Sequence, residues 1–105
     1  MKDIKEFLTE ASNPLKKYVK TAEQSKLGGE NLKKYYHKKF PTDSMWKELN
    51  GEITLAEAFK QFAEGYDIYQ ITFAHDSIIR ERIFDFFCEM TGLEYDKIYY
   101  HWLGK

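Results

Sequence analysis

Apolar residues recur every three to four positions along most of this chain, and the pattern is most regular from Asp76 to Thr91. There Ile79, Ile83, Phe86, Phe87 and Met90 fall at i, i+4, i+7, i+8 and i+11, one stripe of a helix with 3.6 residues per turn. Arg80, Glu81, Arg82, Asp85 and Glu89 occupy the other side. Asp76 or Ser77 can accept the first free amides, and Gly92 supplies a left-handed stop. Burying one such large side chain is worth about 1.5–3 kcal/mol, so this stripe is the natural centre of a core.

Shorter segments surround it. Asp3 and Glu6 form the ends of a capping box ahead of Ile4, Phe7, Leu8 and Ala11. Asn13-Pro14 starts a second helix with Leu15, Tyr18, Val19 and Ala22 on one face, broken at Gly28-Gly29. Leu32, Tyr35 and Tyr36 mark a third helix that Phe40-Pro41 stops, because the residue before Pro avoids the α region. Thr42-Asp43-Ser44 caps a brief turn through Met45, Trp46 and Leu49. Thr54 and Glu57 frame a clear capping box before Leu55, Phe59 and Phe62, closed by Gly65. In residues 66–73, Tyr69, Ile71 and Phe73 alternate as in a strand, and this stretch reads as a short extended connector. A last helix, from Glu94 to Leu103, carries Tyr95, Ile98, Tyr99 and Trp102 on one side. The expectation is an all-α fold: a compact bundle of about six short helices around helix 76–91, with residues 1–105 forming one small domain.

Composition agrees with a globular chain, since 43% of residues are apolar and 31% charged. Eight Phe, eight Tyr and two Trp exceed what a small core needs, which places some amphipathic rings at the surface. A single cysteine, Cys88, and the lack of a leader or an 18-residue apolar run point to a cytoplasmic protein without a membrane span. The net charge of −1 conceals a segregation. Residues 14–41 hold eight lysines against two glutamates, whereas residues 42–105 hold six basic and twelve acidic side chains. The basic segment can contact phosphate, lie solvated, or dock on the acidic remainder of its own chain.

Reactive constellations are scarce. His75-Asp76 resembles the central pair of metal-dependent HD phosphohydrolases, a resemblance that implies an earlier His and a later Asp, here His37 and Asp96. Such domains are longer than this chain, and Asp76 already has work as a helix cap. Cys88 lies in the core helix beside a carboxylate, where its thiol pKa rises rather than falls. The expectation is no catalytic residue, no cofactor and no metal. Phe84, Cys88, Gly92 and Ile98 fall at spacings that resemble a degenerate helix-turn-helix over residues 84–103, which implies contact with DNA through the second helix. Glu94 and Asp96 would then face phosphates, and no Arg, Asn or Gln stands there to read a base edge.

Two functional readings follow. The first is a non-enzymatic interaction protein, an adaptor or inhibitor docking on a larger protein or nucleoprotein. Its size suits an accessory protein of a mobile genetic element, and Tyr35, Tyr36, Tyr99, Tyr100 and Trp102 are its candidate anchors. The second is a nucleic-acid-binding regulator using Lys33, Lys34, Lys38 and Lys39, with Lys97 and His101 from the hairpin.

Overall fold

A computed structural model describes residues 14–104. The helix expected over residues 3–11 and the cap at Asn13 lie outside the described residues. Within them the chain forms six α-helices and three short 3-10 helices, with no strand. In chain order these are η1 (Lys16–Tyr18), α1 (Val19–Gln24), η2 (Lys26–Gly29), α2 (Leu32–Lys39), η3 (Ser44–Glu48), α3 (Leu55–Ala63), α4 (Ile68–Thr72), α5 (Ser77–Thr91) and α6 (Tyr95–Leu103). No described helix is long and apolar enough to cross a membrane.

Helix α5 is the hub. Asp76 Oδ1 accepts from the Ile78 amide at 2.7 Å, and Gly92 closes the helix at φ 77°, a conformation that favours glycine. Ile79, Ile83, Phe86, Phe87 and Met90 are buried, as their spacing requires, and Phe84 joins them to widen the apolar arc. Its three phenylalanines point at different neighbours. Phe86 meets Tyr35 edge-on at 4.9 Å, and Phe87 lies 5.4 Å from both Phe59 and Phe62. Phe84 lies 5.3 Å from Phe62 and 6.1 Å from both Tyr95 and Trp102. One helix therefore fastens α2, α3 and α6.

Caps settle the boundaries. Asn31 Oδ1 accepts from the Lys34 amide at 3.1 Å to start α2, and Thr54 Oγ1 accepts from the Glu57 amide at 3.2 Å to start α3. These two cap residues also form the isolated antiparallel bridge of the fold. The Leu32 amide donates to the Ile53 carbonyl and the Leu55 amide to the Glu30 carbonyl, both at 2.9 Å. Each helix thereby satisfies an N-terminal amide that its own turns cannot reach.

Within the stretch 66–73, residues Ile68–Thr72 form a helix and not a strand. Asp67 Oδ1 accepts from the Tyr69 amide at 2.9 Å and nucleates α4, which packs on α3. Asn50 closes its other end: its amide donates to the Thr72 carbonyl at 2.9 Å, and its Nδ2 reaches the Ile71 carbonyl. The alternation of Tyr69, Ile71 and Phe73 yields no strand because no partner strand exists among the described residues. Phe73 follows α4 at φ 66°, and it is the one non-glycine described residue in the left-handed region.

Helix α1 and η2 approach closely. A Cβ added to Gly28 would lie 2.2 Å from the Ala22 carbonyl oxygen and 3.3 Å from the Ala56 Cβ, whereas one at Gly29 would meet nothing within 4 Å. Gly28→Ala should therefore destabilise the fold by roughly 1–3 kcal/mol, and Gly29→Ala should change it little. Urea unfolding of the two variants checks this, and equal midpoints would rule out the close approach.

Candidate functional site

The candidate anchors divide into core and surface. Tyr35 and Tyr36 are buried, so their rings are not available to a partner. They sit at i+3 and i+4 from Leu32 and so share the inward face of α2, and only their hydroxyls reach the edge of the core. Tyr35 Oη donates to Glu89 Oε2 at 3.2 Å. Tyr36 Oη donates to Asp43 Oδ2 at 2.8 Å and accepts from Arg82 Nη1 at 2.7 Å, while Arg82 Nη1 also pairs with Asp43. The Arg82 guanidinium lies 4.0 Å from the centre of the Phe40 ring. This cluster clamps the 40–48 segment onto the hub.

On α6, Tyr99 and Trp102 pack against the core while Tyr100 faces outward. Tyr99 is half-buried between Tyr95 at 6.1 Å and Trp102 at 5.9 Å, and Tyr100 is 66% exposed. Trp102 is half-buried under Arg80, whose guanidinium sits 4.4 Å from its ring centre. Arg80 Nη1 donates to Tyr69 Oη at 3.0 Å, and the Tyr69 ring lies 5.7 Å from His75. His101 Nε2 is 2.9 Å from the Phe62 carbonyl. These interactions join the end of α3, α4, the start of α5 and the second half of α6 into one aromatic-rich region, the aromatic end.

That end also carries what the sequence did not announce. The large apolar side chains exposed among the described residues are Tyr66, Phe73, Ile78, Tyr100 and Leu103: Ile78 lies on α5, Tyr100 and Leu103 on α6, and Tyr66 and Phe73 in the segments that flank α4. Phe73 is 63% exposed despite its left-handed backbone. The signal that could have found it is Asp67, a helix cap by residue type, which makes α4 a helix and leaves Phe73 at its exposed C-terminus.

The second group lies on α2 and η3. Lys34, His37, Lys38 and Lys39 are exposed, and Lys33 is half-buried. The His37 ring stacks on Trp46 at 4.1 Å and 16°, while Lys33 Nζ and Lys47 Nζ lie 5.8 and 5.9 Å from the Trp46 centre. Lys39 Nζ leans toward the Tyr35 ring at 5.5 Å. Lys97 belongs to α6, outside this group, and His101 is engaged with Phe62, so the hairpin adds neither to the basic face. The ion pair among the described residues joins Arg82 to Asp43, and no described ion pair links the basic segment to the acidic remainder.

Chemically reactive groups are subdued. Burial, with Asp85 adding to it, pushes the Cys88 thiol up to about 11, the wrong direction for a nucleophile. No three of the described His, Cys, Asp and Glu residues come together as a metal site. Along α5 the exposed Glu81, Asp85 and Glu89 repeat every fourth position, and burial followed by Glu81 raises the Asp85 carboxyl. No protein family, curated protein or solved structure matches this chain, so its function rests on the side chains themselves.

The Met45 amide, the Tyr36 hydroxyl and Arg82 hold the Asp43 carboxyl below its usual range. A depressed folded-state pKa stabilises above the unfolded value of about 3.9, and that contribution is lost as pH falls further. Arg82→Ala should cost about 1–3 kcal/mol, with Arg82→Lys restoring only part, because one ammonium cannot reproduce the guanidinium geometry. Asp43→Asn should flatten the loss of stability below pH ~4. Thermal melts across pH 3 to 7 check both, and parallel acid limbs for wild type and Asp43→Asn would rule the clamp out.

Proposed function

We propose that this protein is a non-enzymatic docking module, an adaptor or inhibitor that binds a larger protein through its aromatic end. The observation that carries this reading is Phe73, a large ring 63% exposed on a left-handed backbone at the end of α4, which Arg80 ties to α6 through Tyr69 and Trp102. Scattered apolar side chains on a surface need no explanation, but one held out on an unfavourable backbone does.

Phe73 sharpens the point. A left-handed backbone is unfavourable for a bulky residue by roughly 1–2 kcal/mol, and exposing its ring forgoes burial as well. Two unfavourable choices at one residue fit a ring held out for an external surface. Tyr100, 66% exposed on α6, is a second anchor, and Tyr99 lies against it at 6.1 Å.

The test separates docking from folding. Phe73→Gly should raise stability by about 1 kcal/mol, because glycine suits the left-handed helix end, yet it should abolish partner capture. Tyr100→Ala should leave the melting temperature nearly unchanged and weaken capture at least tenfold. Capture of the partner from the native lysate by a tagged chain, alongside thermal melts, reads both effects. Undiminished capture by both variants would refute this face, and a lower melting temperature for Phe73→Gly would make Phe73 a packing residue.

A further inference from the structure

We infer a second binding surface, distinct from the aromatic end: the face of α2 and η3 takes a single-stranded nucleic acid, with a base stacked on His37 and phosphates held by Lys33, Lys34, Lys38 and Lys47.

Among the described residues, no ion pair joins a lysine of α2 to an acidic side chain. Lys33 and His37 are four residues apart on α2, as are Lys34 and Lys38, so two basic rows run along one side of the helix. Like charges at that spacing disfavour the helix slightly, and no described acidic side chain pairs with these lysines. The last turn gains a little from the helix dipole, but Lys33 and Lys34 lie in the first turn, where cations are disfavoured. Helix stability alone does not account for this placement. An anionic ligand does.

The stack identifies the kind of anion. Trp46 presents its ring to His37 at 4.1 Å, near parallel at 16°, with Lys33 Nζ and Lys47 Nζ over the same ring at 5.8 and 5.9 Å. His37 is exposed, so the imidazole face turned away from Trp46 is open to a further planar ring. A nucleobase laid there continues the Trp46–His37 stack, and the surrounding ammonium groups stand where the flanking phosphates would run. Stacking platforms ringed by lysine bind single strands with little preference for sequence. Bases in a duplex are already stacked on each other and cannot reach such a platform. The absence of Arg, Asn and Gln from α2 fits a surface that does not read base edges.

The experiment uses the full chain and three fluorescein-labelled 20-mers at 50 mM salt: oligothymidylate, a strand of the same length with abasic sites, and a duplex. Oligothymidylate should bind more tightly than the other two. His37→Ala should weaken its binding on the order of tenfold while leaving the abasic strand unaffected. Lys34→Gln with Lys38→Gln should reduce the salt slope by about 1.4, close to 0.7 for each phosphate no longer neutralised. Circular dichroism melts confirm that the variants remain folded. Failure to bind oligothymidylate, equal affinity for all three ligands, or no effect of His37→Ala would each overturn the proposal. None of these outcomes bears on the aromatic end, whose variants Phe73→Gly and Tyr100→Ala should bind the strand as wild type does.

Discussion

The fold depends on α5 being apolar over an arc too wide for one neighbour to cover. Ile83, Phe84, Phe86 and Phe87 are all fully or almost fully buried, and successive positions turn about 100° around the axis. Phe86 and Phe87 therefore face different partners, and Phe84 shares Phe62 with Phe87 while also reaching Tyr95 and Trp102 on α6. No single helix pair could bury this set, so α2, α3 and α6 must all be present before α5 is covered. Six buried side chains come from α5 and another six from α3, and the remaining elements contribute at most a few each. A five-residue helix such as α4 would not persist alone, but here packing on α3 and the Asn50 hydrogen bonds hold it.

Polar groups then decide how the segments between helices run. The paired caps Asn31 and Thr54 bring the starts of α2 and α3 together, each segment satisfying an amide of the other. Arg82, Asp43 and Tyr36 pin η3 to the hub and give the buried Tyr36 ring a satisfied hydroxyl. This second interaction has a consequence for function. By fixing the 40–48 segment, it sets Trp46 against His37 and so shapes the basic face from behind. A disturbance at Arg82 is thus expected to reach His37 without any direct contact between them.

Much of this is legible in the residues. Thr54, Asp76 and Gly92 act as the caps their types and positions imply, and the stripe of α5 is buried as its period requires. Two features mislead for identifiable reasons. Alternation in residues 66–73 resembles a strand because five residues of helix are too few to show a 3.6-residue period, and the decisive signal is the cap at Asp67. Tyr35 and Tyr36 suit an anchor by residue type, although their spacing from Leu32 already places them inside. Exposure of Phe73 follows from the end of α4, which the alternation conceals and only the cap at Asp67 signals. The pairing of His37 with Trp46 is equally hidden, since it joins α2 to η3 across a turn whose geometry no local pattern specifies.

Segregated charge raises a last question, whether the two halves of the chain neutralise each other. They do not among the described residues. Arg82 and Asp43 both belong to the acidic half, so their ion pair consumes none of the lysines of residues 14–41. Glu81, Asp85 and Glu89 remain exposed along α5, as do Lys34 and Lys38 on α2. A net charge near zero therefore arises from two opposed fields that both reach solvent, each effective within a Debye length of about 8 Å at physiological ionic strength. Such an arrangement gives the molecule orientation as it approaches a charged surface. The two fields nonetheless meet at one edge of the hub, where the Tyr35 hydroxyl donates to Glu89 and Lys39 Nζ lies over the same ring at 5.5 Å.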